Sequence, residues 1–90
     1  MATDVGKVNI EYLERPTGIA YKFMKHLAEN ANCVGDGNAF GFYLRKEVEQ
    51  EAKDFVSRAN ASPDQAAEVN QWVESLPWDD TGYLALTFNW

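Results

Sequence analysis

Three stretches of this chain repeat apolar side chains every three to four residues, and that periodicity constrains the fold more than any other feature. Ile19, Ala20, Phe23, Met24, Leu27, Ala28 and Ala31 form the first stripe, opposite Lys22, Lys25, His26 and Glu29. Val48, Ala52, Phe55, Val56 and Ala59 form the second; Ala66, Val69, Trp72, Val73 and Leu76 form the third. Each stripe marks an amphipathic helix with one face to bury. The spacing predicts helices over 18–31, 46–59 and 62–76. Thr17 is the expected N-cap of the first. Ser62-Pro63-Asp64-Gln65 opens the third, with Ser62 as N-cap, Pro63 at the first helical position and Gln65 completing a capping box. Pro77 ends it. On the second helix, Glu49 with Lys53 and Asp54 with Arg58 are spaced for i,i+4 pairs in the favourable order.

Elsewhere the period is two. Val8, Ile10 and Tyr12 alternate with Asn9 and Glu11, which predicts a short strand over 7–13, either at a sheet edge or not formed. Asn32 to Asn38 is rich in Gly and Asn and reads as a loop. Ala39-Phe40-Gly41-Phe42-Tyr43-Leu44 reads as a buried strand. After an Asp79-Asp80-Thr81-Gly82 turn, Leu84, Leu86, Phe88 and Trp90 alternate with Tyr83, Ala85, Thr87 and Asn89, a strand over 83–90. Strands 39–44 and 83–90 are expected to pair, because their aromatic content suits a shared core face. The expected architecture is one α+β domain over residues 1–90, in the order β-α-β-α-α-β. Three helices would pack on one face of a small three-stranded antiparallel sheet.

Charge is distributed unevenly along this frame. Residues 1–46 carry six basic and five acidic side chains, a net of +1, whereas residues 47–90 carry two basic and nine acidic ones, a net of −7. That balance argues against direct binding of nucleic acid and against an anionic membrane surface, both of which require Lys/Arg patches. No apolar run approaches the ~20 residues that cross a bilayer. The first residues lack the apolar stretch of a signal peptide, and the single Cys33 leaves no internal disulfide. A reducing, cytoplasmic setting is the expectation.

No motif for catalysis or a cofactor stands out, and no metal is expected. His26 lies at the margin of the first stripe with no partner in view. Cys33 follows the C-terminus of a helix, where the dipole disfavours a thiolate. Gly35-Asp36-Gly37-Asn38-Ala39-Phe40-Gly41 leads into a strand rather than a helix N-terminus, so it lacks the context of a phosphate loop. Asp80-Thr81-Gly82 spells the aspartic-protease tripeptide but sits in a strongly helical chain, where it is ordinary turn chemistry.

The acids on the second and third helices carry the functional expectation. Glu47, Glu51 and Asp54 fall in one row, Asp64 and Glu68 in another, with Asp79 and Asp80 beyond them. Residues four apart on a helix sit about 6 Å apart, a spacing that competes with backbone phosphates for a basic groove. Trp78, set between Pro77 and Asp79, is the expected aromatic anchor, and Trp72 is assigned to the core. The resulting reading is a small acidic protein that binds and inhibits a protein with a basic surface through residues 47–80. The most concrete partner is a nucleic-acid-handling enzyme, met by a phage or mobile-element defence inhibitor or by a nuclease immunity protein. Three other readings stand beside it: acids that only solvate a helical face, an assembly subunit that dimerises by adding a strand at a sheet edge, and a small-molecule binder using the 35–41 loop.

Overall fold

Helical periodicity translates directly into three helices. The structure, a computed structural model, describes residues 12–89. Its elements are α1 (Gly18–Glu29), β1 (Cys33–Gly35), β2 (Asn38–Leu44), α2 (Arg45–Arg58), α3 (Pro63–Ser75) and β3 (Tyr83–Asn89). The strands form one antiparallel sheet in the order β1-β2-β3. The α+β class, with three helices on a three-stranded antiparallel sheet, is therefore as expected.

One strand comes from a stretch expected to be a loop. Cys33–Gly35 pairs with Asn38–Phe40, closed by Asp36 and Gly37, with Gly37 at φ 75°. A positive φ at the second turn residue is a conformation that glycine adopts without strain. Beyond the end of β1, the Asn32 side chain continues the pairing: the Phe42 N–H donates to Asn32 Oδ1 at 2.8 Å. The strand expected over 7–13 falls outside the described residues as far as Glu11; Tyr12 and Leu13 belong to no helix or strand.

β2 is the hub of the fold, contacting both other strands, α1 and α2. Its pairing with β3 aligns Ala39 with Phe88, Gly41 with Leu86 and Tyr43 with Leu84 on the helix-covered face. The alternate set, Phe40 with Thr87, Phe42 with Ala85 and Leu44 with Tyr83, faces the other way. The aromatic residues of β2 thus do not share a core face, contrary to the sequence expectation. The reason is space: helices packed closely on β2 admit small side chains. Ala39 is 2% exposed, and the Tyr43 ring lies across Gly41 so closely that a methyl group built there would meet the Tyr43 hydroxyl at 2.5 Å. That ring carries its hydroxyl to the Leu27 carbonyl at 3.1 Å, satisfying an acceptor in the last turn of α1.

Between the helices, Phe23 is fully buried. Its ring meets Phe55 at 5.3 Å between centroids and stands edge-on to Trp72 at 6.0 Å. Leu27, Val48, Val69 and Val73 complete the inner layer. Trp72 is half-buried at its margin. The capping box at α3 is present: Gln65 N–H donates to Ser62 Oγ at 3.3 Å, and Ser62 N–H donates to Gln65 Oε1 at 2.9 Å. Thr17 holds the N-cap position of α1 without a side-chain cap bond. The expected pairs on α2 are replaced by others. Glu49 turns back to Arg45 at 2.9 Å, Asp54 accepts from Gln50 at 3.2 Å, and Arg58 Nε donates to the Asp54 carbonyl.

Truncation should cost much more in the core between helices and sheet than on the open face of the sheet. Phe23→Ala is expected to cost about 3–5 kcal/mol, most of the stability of a marginal domain. Phe42→Ala should cost no more than about 1 kcal/mol, the scale of an exposed aromatic pair. Urea denaturation followed by circular dichroism checks both.

Candidate interaction surface

The outer face of the sheet is the most distinctive surface of the molecule. Phe40, Phe42, Leu44 and Tyr83 remain 40, 50, 42 and 39% exposed there. Phe40 meets Phe42 edge-on at 4.9 Å between centroids, and Phe42 stacks on Tyr83 at 5.9 Å. Ala85, Thr87, Asn38 and Asn89, with Cys33 and Gly35 of β1, supply the rest of the paired positions on this face, and none of these described residues is charged. Clustered aromatic groups of this kind differ from the singly scattered apolar exposure normal at a protein surface. Strict alternation in β2, large residues at even positions and small ones at 39 and 41, was the signal available in the sequence.

The two ends of this face differ. At the end of Leu44 and Tyr83, the backbone turns straight into the first turn of α2. There Arg45 N–H donates to the Gly82 carbonyl at 2.7 Å, tying the 79–82 turn to the start of that helix. Glu47 lies in that first turn, and Asp79 and Asp80 in the adjoining one. Asp79 Oδ1 accepts from Thr81 N–H at 2.8 Å, Thr81 Oγ1 at 2.6 Å and Tyr83 N–H at 2.9 Å. These bonds, the Thr81 hydroxyl first and then the Tyr83 amide, hold its carboxyl below the usual range. One of its oxygens is thus committed to shaping the turn.

The remaining candidate acids are spread over the helical layer. Only residues 59–62 separate α2 from α3, and the helices contact each other, which makes them antiparallel neighbours. Asp64, in the first turn of α3, therefore lies at the end of α2 far from Glu47. Glu68 reaches to the start of α1, where a methyl group built on Gly18 would be 3.6 Å from its Oε2. Glu47, Asp64 and Glu68 each sit at a helix N-terminus, where the helix dipole favours an anion. Glu51 lies close enough to Tyr43 for its charge to act there. Burial, and then that charge, push the Tyr43 hydroxyl up to about 12. All of Glu47, Glu51, Asp54, Asp64, Glu68, Asp79 and Asp80 are exposed. Trp78 is half-buried and packed against the core, its indole N–H donating to the Val73 carbonyl at 2.9 Å. It closes the C-terminus of α3.

His26 packs beside the rings of Phe23 and Phe55, and Cys33 is exposed on β1. Among the described residues no three His, Cys, Asp or Glu side chains gather where they could hold a metal ion. No described helix is long and apolar enough to cross a membrane.

Two titrations check these electrostatic assignments. Asp79 is depressed in the folded chain, so its contribution is present above the unfolded value of about 3.9 and is lost as pH falls through the folded value. Asp79→Asn should flatten the fall in Tm between neutral pH and pH ~3. Tyr43 is raised, so its contribution is complete below about pH 10 and is lost as pH climbs towards its folded value. Glu51→Gln should shift the Tyr43 ionisation, read by ultraviolet absorbance, to lower pH.

Comparison with protein-family models, curated proteins and solved structures finds no match.

Proposed function

We propose that this protein acts by binding another protein, and that the contact surface is the uncharged aromatic sheet face together with its acidic end, Glu47, Asp79 and Asp80. The observation that carries this reading is the exposed Phe40–Phe42–Tyr83 cluster, which no described helix covers. Interfaces concentrate their binding energy in central aromatic anchors and keep charge at the rim. An acidic rim selects a partner with a basic one, and speeds encounter with it. Nucleic-acid-handling enzymes have such basic surfaces, and an inhibitor of one is the most concrete form of the proposal. Glu51 and Asp54, further along α2, add to the long-range field. Asp64 and Glu68, placed towards α1 and the far end of α2, contribute least.

Self-association is the second reading, favoured by the lack of charge on the sheet face. A chain of net charge −6 meets its own copy with least repulsion there.

The test compares three immobilised proteins in lysate of the native host: wild type, Phe42→Ala/Tyr83→Ala, and Glu47→Lys/Asp80→Lys. A basic protein captured by wild type and reduced at least about tenfold by both variants, a loss of about 1.4 kcal/mol, is the expected result. Loss with the charge variant alone moves the site onto the helices. Light scattering across salt concentrations gives the other outcome: a dimer that persists in high salt and is lost in the aromatic variant makes self-assembly the function of this face.

A further inference from the structure

We propose that the outer edge of β3, with the groove between α1, α3 and β3 beneath it, is a docking site for the chain's own residues 7–11, taken up as a fourth strand with Val8 and Ile10 in the groove. The edge itself calls for an occupant. At one side of the sheet β1 has three residues. At the other, β3 has seven, none of them charged or proline, in unbroken register with β2. Sheet edges are ordinarily blunted by short strands, charge, proline or a bulge; β1 has the first of these devices and β3 has none. Among the described residues no strand pairs with the outer edge of β3.

The groove supplies the apolar half of the site. It has a volume of about 580 Å³, and Met24 of α1, Trp72 of α3 and Leu86 of β3 line it half-buried. Residues 85–89 line it consecutively, from both faces of the strand, so it runs along the edge of β3 turned away from β2. A strand added at that edge sends alternate side chains to the helix side, towards Met24 and Trp72. The chain arrives at this place, because residues 12–16 line the same groove. Eleven residues precede Tyr12, about 36 Å of extended chain against about 23 Å for β3, enough to follow the edge throughout. Within them Val8 and Ile10 flank the polar Asn9, the period that puts both apolar side chains on one face. So short a tether also gives this segment a high effective concentration at the edge, an advantage that a strand from a second copy lacks. The fourth strand borders the proposed partner surface, since Phe40, Ala85, Thr87 and Asn89 belong to both, and its presence is read in the isolated chain with no partner.

The experiment is nuclear magnetic resonance on the isotopically labelled full chain, with amide hydrogen exchange. The expected result is nuclear Overhauser contacts from the Val8 and Ile10 methyls to the Met24 methyl and the Trp72 ring, retained when labelled chain is diluted into excess unlabelled chain. The β3 amides directed away from β2 should be protected, and Val8→Asp/Ile10→Asp should speed their exchange at least about tenfold, while those directed at β2 keep their protection. Three outcomes overturn the proposal: no contact from Val8 or Ile10 to Met24 or Trp72 in the wild type, outward β3 amides that exchange at unfolded-chain rates, or contacts that arise only between labelled and unlabelled chains, which would give the edge to a second copy.

Discussion

The close approach of α1 and α2 to β2 is the constraint on which the rest of the structure depends. It leaves room on the inner face of the strand for Ala39 and Gly41 and for a Tyr43 ring lying flat across the glycine. Because side chains alternate along a strand, small residues inside place Phe40, Phe42 and Leu44 outside. Tyr43 then serves two ends at once, filling the gap and supplying the last turn of α1 with a donor. The exposed aromatic face is thus the other side of the packing that holds the sheet to its helices.

The acids have a similarly double character. Glu47 and Asp64 stand in the first turns of their helices, Glu68 stands at the start of α1, and Asp79 shapes the turn before β3. Local roles of this kind explain why these positions hold carboxylates, and their exposure still leaves the field they create open to solvent. What differs is direction. The turn at 79–82 and the first turn of α2 adjoin the aromatic face, whereas Asp64 and Glu68 do not, so only part of the acidic sequence lies beside Phe42 and Tyr83.

Much of the fold is legible in the residue pattern. A stripe of apolar residues at helical spacing has one way to be buried, and the three helices begin and end within two residues of the bounds expected from spacing and caps. The Ser62 capping box is equally readable, since both of its bonds are local. Strand β1 is harder: three residues give no period, and Cys33–Gly35 becomes a strand because β2 offers it an edge. Ion pairs on α2 are harder still, since Glu49 has Arg45 and Lys53 at equal separation along the helix and the geometry at its N-terminus chooses Arg45.

By itself the sequence determined the helices, the Ser62 capping box, the two long strands and a chain whose second half is strongly acidic, because all of these follow from spacing and composition. Which face of β2 is core was decided only by the tertiary structure. The pattern Ala-Phe-Gly-Phe-Tyr-Leu admits either face inward, and hydrophobicity alone favours burying the phenylalanines. Steric room beneath α1 and α2 reverses that preference. The space beside Trp72 has the same origin: it joins residues 12–28 with residues 85–89, and no local signal records a juxtaposition that only packing creates.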